Sequence, residues 1–170
     1  MHYAHLPAGY ITSKILFKKF EKTSVACNAF ISWGMFGTIA PDLDFVYSFI
    51  DQNHYHHHDY FTHFPLFWLS LILISSLWLR LDRHHRPNAV LAVIFSLNGF
   101  IHMLLDTIAG YVIWFAPFAD MNKPVTWAHY LPWDTGFLEL FIFLWALYLW
   151  KENQILGIFS RLGSSLDLIE

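Results

Sequence analysis

A histidine and an aspartate, His102 and Asp106, stand four residues apart in a run that carries no other charge. Between Asn88 and Leu105 there is no Asp, Glu, Lys or Arg. On a helix this spacing puts both side chains on one face, with Cβ atoms about 5–6 Å apart. That is close enough to chelate one metal ion. A carboxylate without a partner in so apolar a segment is costly. The pair therefore reads either as a metal-binding element or as a buried His–Asp hydrogen bond tying helices together.

Other groups of the same chemistry flank it. Pro41-Asp42-Leu43-Asp44 places two carboxylates two residues apart, which would serve a metal or simply end a helix in a Pro-Asp turn. The run HYHHHDYFTHF holds His54, His56, His57, His58, Asp59 and His63, five histidines within ten residues. His5 stands alone near the start. His84 and His85 lie among arginines and read as surface residues. His129 and Asp134 read as auxiliary or substrate-facing, and Glu139 as an interface residue rather than a ligand. Cys27, the only cysteine, falls in an apolar stretch, which excludes an intrachain disulfide and a multi-cysteine zinc site.

The elements that must position these groups are apolar. Hydrophobic residues make up 56% of the chain and charged ones 14%, against about 25% charged in soluble domains. Seventeen Phe, eight Trp and eight Tyr exceed what a small soluble core needs. Uncharged stretches at Ser24–Pro41, Phe64–Leu79, Asn88–Leu105 and Thr107–Ala119, and Gly136–Trp150 with its single acid, approach the 17–25 residues of a spanning helix. The shortest would also suit a buried core helix. The composition predicts an all-α integral membrane helical bundle of about five helices with a metal site at one end. Residues 1–155 form one membrane-embedded domain, and 156–170 a short C-terminal tail.

Basic residues orient the bundle. Lys14, Lys18, Lys19 and Lys22 precede the first of these stretches, Arg80, Arg83 and Arg86 lie between the next two, and Lys151 and Arg161 follow the last. Nine of the ten basic residues then face the cytoplasm, leaving Lys123 outside. Residues 41–65 and 116–135 fall on the outer side. Leu6–Phe20 predicts a helix whose Lys-rich end is cytoplasmic, with Thr23 and Ser24 as caps for an antiparallel partner. Such a hairpin returns His5 to the Pro41 end. His102 lies about 20 Å along its helix and Asp106 about 6 Å further. His5, the Asp pair, the His-rich loop and the His102/Asp106 face thus converge at one end. The basic residues follow the first apolar ones, so no cleavable signal peptide is expected. At a formal net charge of −3, no nucleic-acid partner is expected either.

These residues resemble the bacterial membrane-bound metal-dependent hydrolases often called YdjM-like. The family pattern is an N-terminal His followed by a Gly, Pro-Asp-x-Asp, a His-Arg-Gly-x-Thr-His-Ser segment, and a His-x-x-x-Asp helix leading to a Gly and a Pro-Phe. Here these are, in order, His5 with Gly9; Pro41, Asp42 and Asp44; His58 through Thr62 and His63; and His102, Asp106, Gly110, Pro117 and Phe118. The resemblance covers about residues 2–118. Asp59, Tyr60 and Phe64 depart from it, standing where Arg, Gly and Ser are usual.

The resemblance implies seven metal ligands: His5, Asp42, Asp44, His58, His63, His102 and Asp106. A catalytic zinc takes three protein ligands and keeps a position for water, so seven suit two ions about 3.5–4 Å apart with a bridging Asp. Asp42 and Asp44 are the expected catalytic carboxylates and bridge candidates. Imidazole with carboxylate favours Zn²⁺, with Mn²⁺ or Fe²⁺ as alternatives. Three carboxylates against two divalent ions leave a pocket charge of about +1, which attracts a phosphate. The expected activity is hydrolysis of a lipid or lipid-linked phosphoester by a metal-activated water, on the periplasmic side of the inner membrane, with membrane lipid as partner. A metal or proton transporter, or a membrane protein with a structural metal site, are the alternatives.

Overall fold

The computed structural model describes residues 3–51, 57–118, 125–126 and 135–166. Six α-helices account for most of them: α1 (His5–Phe20), α2 (Cys27–Ile39), α3 (Asp44–Asp51), α4 (Pro65–Leu81), α5 (Arg86–Ala109) and α6 (Thr135–Leu166). Short 3₁₀ turns at Pro41–Leu43, His57–Asp59 and Phe61–His63 link α2, α3 and α4. Among the described residues there is no strand, only an isolated antiparallel bridge between Val112 and Val125. The protein is all-helical. One described helix, α5, is long and apolar enough to cross a membrane, and α4 is apolar but shorter. α6 continues past residue 155 to Leu166.

α5 is the central element, packed against α2 on one side and α4 on the other, while α1 pairs with α2 and α6 leans on α1. Small residues set these approaches. A Cβ on Gly37 of α2 would collide with the Phe95 carbonyl of α5, and one on Gly99 of α5 would enter the Trp68 ring of α4. Alongside the apolar clusters around Phe30 and Trp68, polar residues meet in the same seams. Asn98 Nδ2 donates to the Ile94 carbonyl at 2.9 Å and faces Ser13 Oγ, which itself donates to the Gly9 carbonyl. Ser75 and Ser96 meet across α4 and α5 at 3.3 Å. Large apolar side chains lie on both sides: Phe30, Ile94 and Met103 are buried in the core, while Leu73 and Ile74 are each 61% exposed.

Two local expectations are corrected. Thr23 and Ser24 do not cap α2. The Thr23 hydroxyl donates to the Phe20 carbonyl, closing α1, while Ser24 turns the chain at φ 32°. α2 starts after extended Ala26 with no side-chain cap. Of the uncharged stretch Thr107–Ala119, the described residues 107–118 do not form a helix of their own. α5 stops at Ala109, and the chain folds back through Gly110 into turns, with Val112, Ile113 and Ala116 buried and Trp114 Nε1 donating to Thr107 Oγ1 at 3.0 Å. That indole bond and the buried apolar trio hold the segment against the end of α5.

The connectivity brings four helix ends together: the start of α1, the end of α2, the start of α4 and the end of α5. Phe64 is extended ahead of Pro65, which sits in the first turn of α4 where its missing N–H costs nothing. Trp68 Nε1 then donates to the Thr62 carbonyl at 2.7 Å, fastening the turn that carries His63 to the helix behind it. At the opposite end, Asp82 accepts the backbone N–H groups of His84 and His85 and starts α5.

Candidate metal centre

Asp106 occupies the middle of this end. Its Oδ1 lies 3.1 Å from His5 Nε2, and its Oδ2 lies 3.0 Å from His102 Nε2 and 3.7 Å from both His58 Nε2 and His63 Nε2. One carboxylate thus reaches four imidazoles delivered by α1, α5 and the loop before α4. Asp42 reaches two of them, with Oδ1 3.6 Å from His63 Nε2 and 3.5 Å from His102 Nε2. The rings pack as His5 on His102, stacked at 3.8 Å, and His58 on His63, stacked at 4.6 Å.

Backbone and carboxylate acceptors decide which ring nitrogen faces inward. His102 Nδ1 donates to the Thr38 carbonyl at 2.6 Å, and His58 Nδ1 to the Tyr111 carbonyl at 2.6 Å. A carbonyl only accepts, so both rings carry a proton on Nδ1 and turn Nε2 to the cluster. His63 Nδ1 faces Asp44 Oδ2 at 2.5 Å, and the same oxygen accepts the Thr62 hydroxyl at 2.7 Å. Metal-ligating histidines are oriented by such partners on the far side of the ring. His5 Nε2 and His102 Nε2 have Asp106 as their near neighbour, while His5 Nδ1 is buried without a partner, an arrangement that is expensive for a buried polar atom.

The donors form two groups of three, His5 with Asp42 and His102, and His58 with His63 and Asp106. In each, the ligand atoms lie within 4.8 Å of one another. Two ligands each about 2.1 Å from a tetrahedral ion stand about 3.4 Å apart, inside the spread of the Nε2–carboxylate distances above. The donor set fits divalent metal.

Electrostatics agree. Burial alone would lower the basicity of His63, but hydrogen bonds to Asp42 and Asp44 and the charges of Asp44 and Asp106 overcome it and raise its pKa to about 9. Burial would push the Asp42 carboxyl up, yet the His63 hydrogen bond and the neighbouring imidazoles hold it below the usual carboxylate range. Without a metal the cluster keeps an imidazolium among carboxylates, the place a cation would take.

All seven sequence-predicted residues lie at this one end. Six fall into the two groups, and Asp44 stands behind His63 rather than in either. Asp106 and Asp42 each face imidazoles of both groups, whereas Asp44 faces His63 alone. Glu139 is half-buried on α6 and belongs to neither group. His84 and His85 are exposed in the far turn, His85 Nδ1 2.8 Å from Asp82 Oδ2. Asp59 lies close enough to Tyr111 that burial and its charge raise the phenol's pKa. His54, His56, His129 and Asp134 lie outside the described residues, as does the side chain of His57. Sequence reasoning missed the carbonyls of Thr38 and Tyr111, which no side-chain pattern announces. Thr62 matched the family pattern but was given no role; the structure puts its hydroxyl on Asp44.

A family model described as YdjM inner membrane protein matches residues 2–164. The chain belongs to the YdjM inner membrane protein family. No curated protein and no solved structure matches the chain. Membership covers nearly the whole YdjM-family chain, including every residue of the cluster, and makes it a membrane protein.

Proposed function

We propose that this YdjM-family protein is a membrane-embedded metal-dependent hydrolase acting on a lipid or lipid-linked phosphoester at the periplasmic face of the inner membrane. The observation that carries the reading is Asp106, whose carboxylate lies 3.0–3.1 Å from His5 and His102 of one donor group and 3.7 Å from His58 and His63, its own partners in the other. A pair of divalent ions, zinc first among them given the imidazole and carboxylate donors, would supply Lewis acidity and lower the pKa of a coordinated water. Asp106, His58 and His63 would hold one ion, and His5, Asp42 and His102 the other. Asp44 fixes the His63 ring, and the Thr38 and Tyr111 carbonyls fix His102 and His58.

Access supports a reaction rather than a closed structural site. The Asp42 side chain is 30% exposed while His63 and His102 beside it are fully buried, so the cluster opens at Asp42. Leu43, next to Asp42 in the chain, is exposed, as are Phe45 and Phe61, apolar surface suited to lipid rather than water. With two divalent ions and three carboxylates the pocket carries a formal charge of about +1, which favours a phosphate oxygen. The polar seams and outward apolar side chains suit a bundle packed in lipid. Clustering at one end, away from the middle of the helices, argues against a transport site.

The test is metal analysis and a phosphoester panel on detergent-purified protein. Two divalent ions per chain and hydrolysis lost in Asp106→Asn support the reading. Retained metal with no phosphoester hydrolysed overturns it in favour of a structural site.

A further inference from the structure

Three of the four imidazoles at the cluster are held from behind: His102 by the Thr38 carbonyl, His58 by the Tyr111 carbonyl and His63 by Asp44. His5 is not. Its Nδ1 is buried without a partner, so the place of its ring is set by where α1 sits. Whatever fixes α1 along α5 therefore decides where His5 lies against His102 and Asp106.

The two helices run antiparallel and meet at two polar contacts. At the cluster, His5 Nε2 lies 3.1 Å from Asp106 Oδ1. Further down, Asn98 Nδ2 reaches Ser13 Oγ at 3.4 Å. Ser13 is eight residues after His5 and Asn98 eight before Asp106, a rise of about 12 Å on each helix. Both contacts thus belong to one register.

The lower contact is closely built. Ser13 and Asn98 are fully buried. Each is also tied to its own helix, Ser13 Oγ donating to the Gly9 carbonyl at 2.7 Å and Asn98 Nδ2 to the Ile94 carbonyl at 2.9 Å. α2 supplies the space, since a Cβ on Gly34 would run into Ser13 Oγ and Asn98 Nδ2. One turn after Gly34 stands Thr38, whose carbonyl holds His102 and whose side chain packs against Gly9 of α1. Apolar contact is non-directional and tolerates a slide of one helix on another. A buried hydrogen bond weakens steeply when its geometry changes, and a single buried Asn is enough to fix the register of packed helices.

We propose that Asn98, through Ser13, is a positioning residue for the cluster: it fixes the axial register of α1 on α5 and so the place of His5 against His102 and Asp106. That the cluster binds metal rests on the reading above; the register does not.

The test compares the full chain in detergent with Asn98→Leu/Ser13→Ala, which removes both partners and leaves neither orphaned. Spin labels at Lys18→Cys on α1 and Leu104→Cys on α5, both exposed positions, are placed in a Cys27→Ser background. Dipolar spectroscopy then reads the slide of one helix on the other. The expected result is a label distance shifted or broadened by about 1.5 Å or more, the rise of one residue, with the thermal midpoint little changed. Cobalt affinity falls about tenfold, as when other partners that orient a ligand are lost. Ser13→Ala alone, which keeps the Asn98 bond to the Ile94 carbonyl, moves both readouts the same way by less. It decides the matter where the double variant loses its thermal transition. An unchanged label distance overturns the proposal. So does a shifted distance with cobalt affinity intact, or an affinity that falls only in step with the midpoint. A parent chain that binds no cobalt removes the metal reading, and the label distance still decides the register.

Discussion

Asp44 Oδ2 sits 2.5 Å from His63 Nδ1, on the edge of the ring opposite the one that faces Asp42 and Asp106. The same oxygen accepts the Thr62 hydroxyl, and Trp68 Nε1 secures the Thr62 carbonyl. One buried carboxylate therefore sets the direction in which His63 offers its other nitrogen. Asp42, two residues earlier in the same Pro-Asp-x-Asp segment, faces the donor groups directly. Adjacent acids of the same type have separate tasks.

The first prediction follows from that division. Asp106→Asn and His102→Ala remove inward-facing donors and should abolish stoichiometric metal binding. Asp44→Asn keeps every inward donor but loosens His63, so metal affinity should fall about 10–100-fold, the usual cost of losing an orienting partner. Metal titration of the three variants checks it. Equal loss in Asp44→Asn and Asp106→Asn would place Asp44 among the ligands themselves.

The second prediction concerns protons. The His63 pKa is raised to about 9 from its ordinary 6.5, so the stabilisation it gives the metal-free protein is fully present below 6.5 and is lost as pH rises through about 9. Metal needs the neutral ring, so the two dependences oppose each other. Affinity should climb by up to about tenfold per pH unit between about 6.5 and 9 and then flatten. Calorimetry at pH 7.5 in buffers of different ionisation enthalpy should find close to one proton released from this ring. Affinity unchanged from pH 7 to 9 would mean that His63 is already neutral before metal arrives.

How much of this was legible in the sequence depends on what each residue does. His102 and Asp106 announced themselves because a spacing of four on a helix is a geometric statement. His5 could be brought to the same end because a short apolar segment with lysines at one terminus has few ways to pack. The separate roles of Asp42 and Asp44 were not legible, since they turn on which edge of the His63 ring each reaches. The four imidazoles around Asp106 were hidden for the same reason: the pattern names donors but not the point where the helix ends meet. Thr107–Ala119 misled because lack of charge fits a buried turn as well as a helix, and Gly110 with Trp114 decides between them.

The third prediction tests the packing that carries α2 against α5. A Cβ on Gly37 would collide with the Phe95 carbonyl, and backbone cannot swing aside as a side chain can. Gly37→Ala should cost about 1–3 kcal/mol, read as a lowered thermal midpoint in detergent. Thr38 follows immediately and holds His102 through its carbonyl, so the same variant should also weaken metal binding. Leu73→Ala, on an exposed apolar face, should change the midpoint little. A Gly37→Ala protein as stable and as metal-competent as the parent would show that the two helices can separate without cost.

The last prediction is the orientation in the membrane. α1 and α4 both end in basic turns at the end of the molecule away from the cluster, with Lys18, Lys19 and Lys22 on one and Arg80, Arg83 and Arg86 on the other. Basic residues near helix ends are retained on the cytoplasmic side. The segments that carry Asp42, His58 and His63 lie between the end of α2 and the start of α4, at the opposite end. A periplasm-dependent reporter fused after Asn53 should therefore be active and one fused after Arg83 silent, with a cytoplasm-dependent reporter giving the reverse. The same logic ties the cluster to a side: a membrane-impermeant chelator added to intact spheroplasts should strip metal from the wild-type protein. Activity of one reporter type at both fusion points would mean that α4 does not cross the bilayer. A chelator effect seen only after lysis would move the metal cluster to the cytoplasmic face.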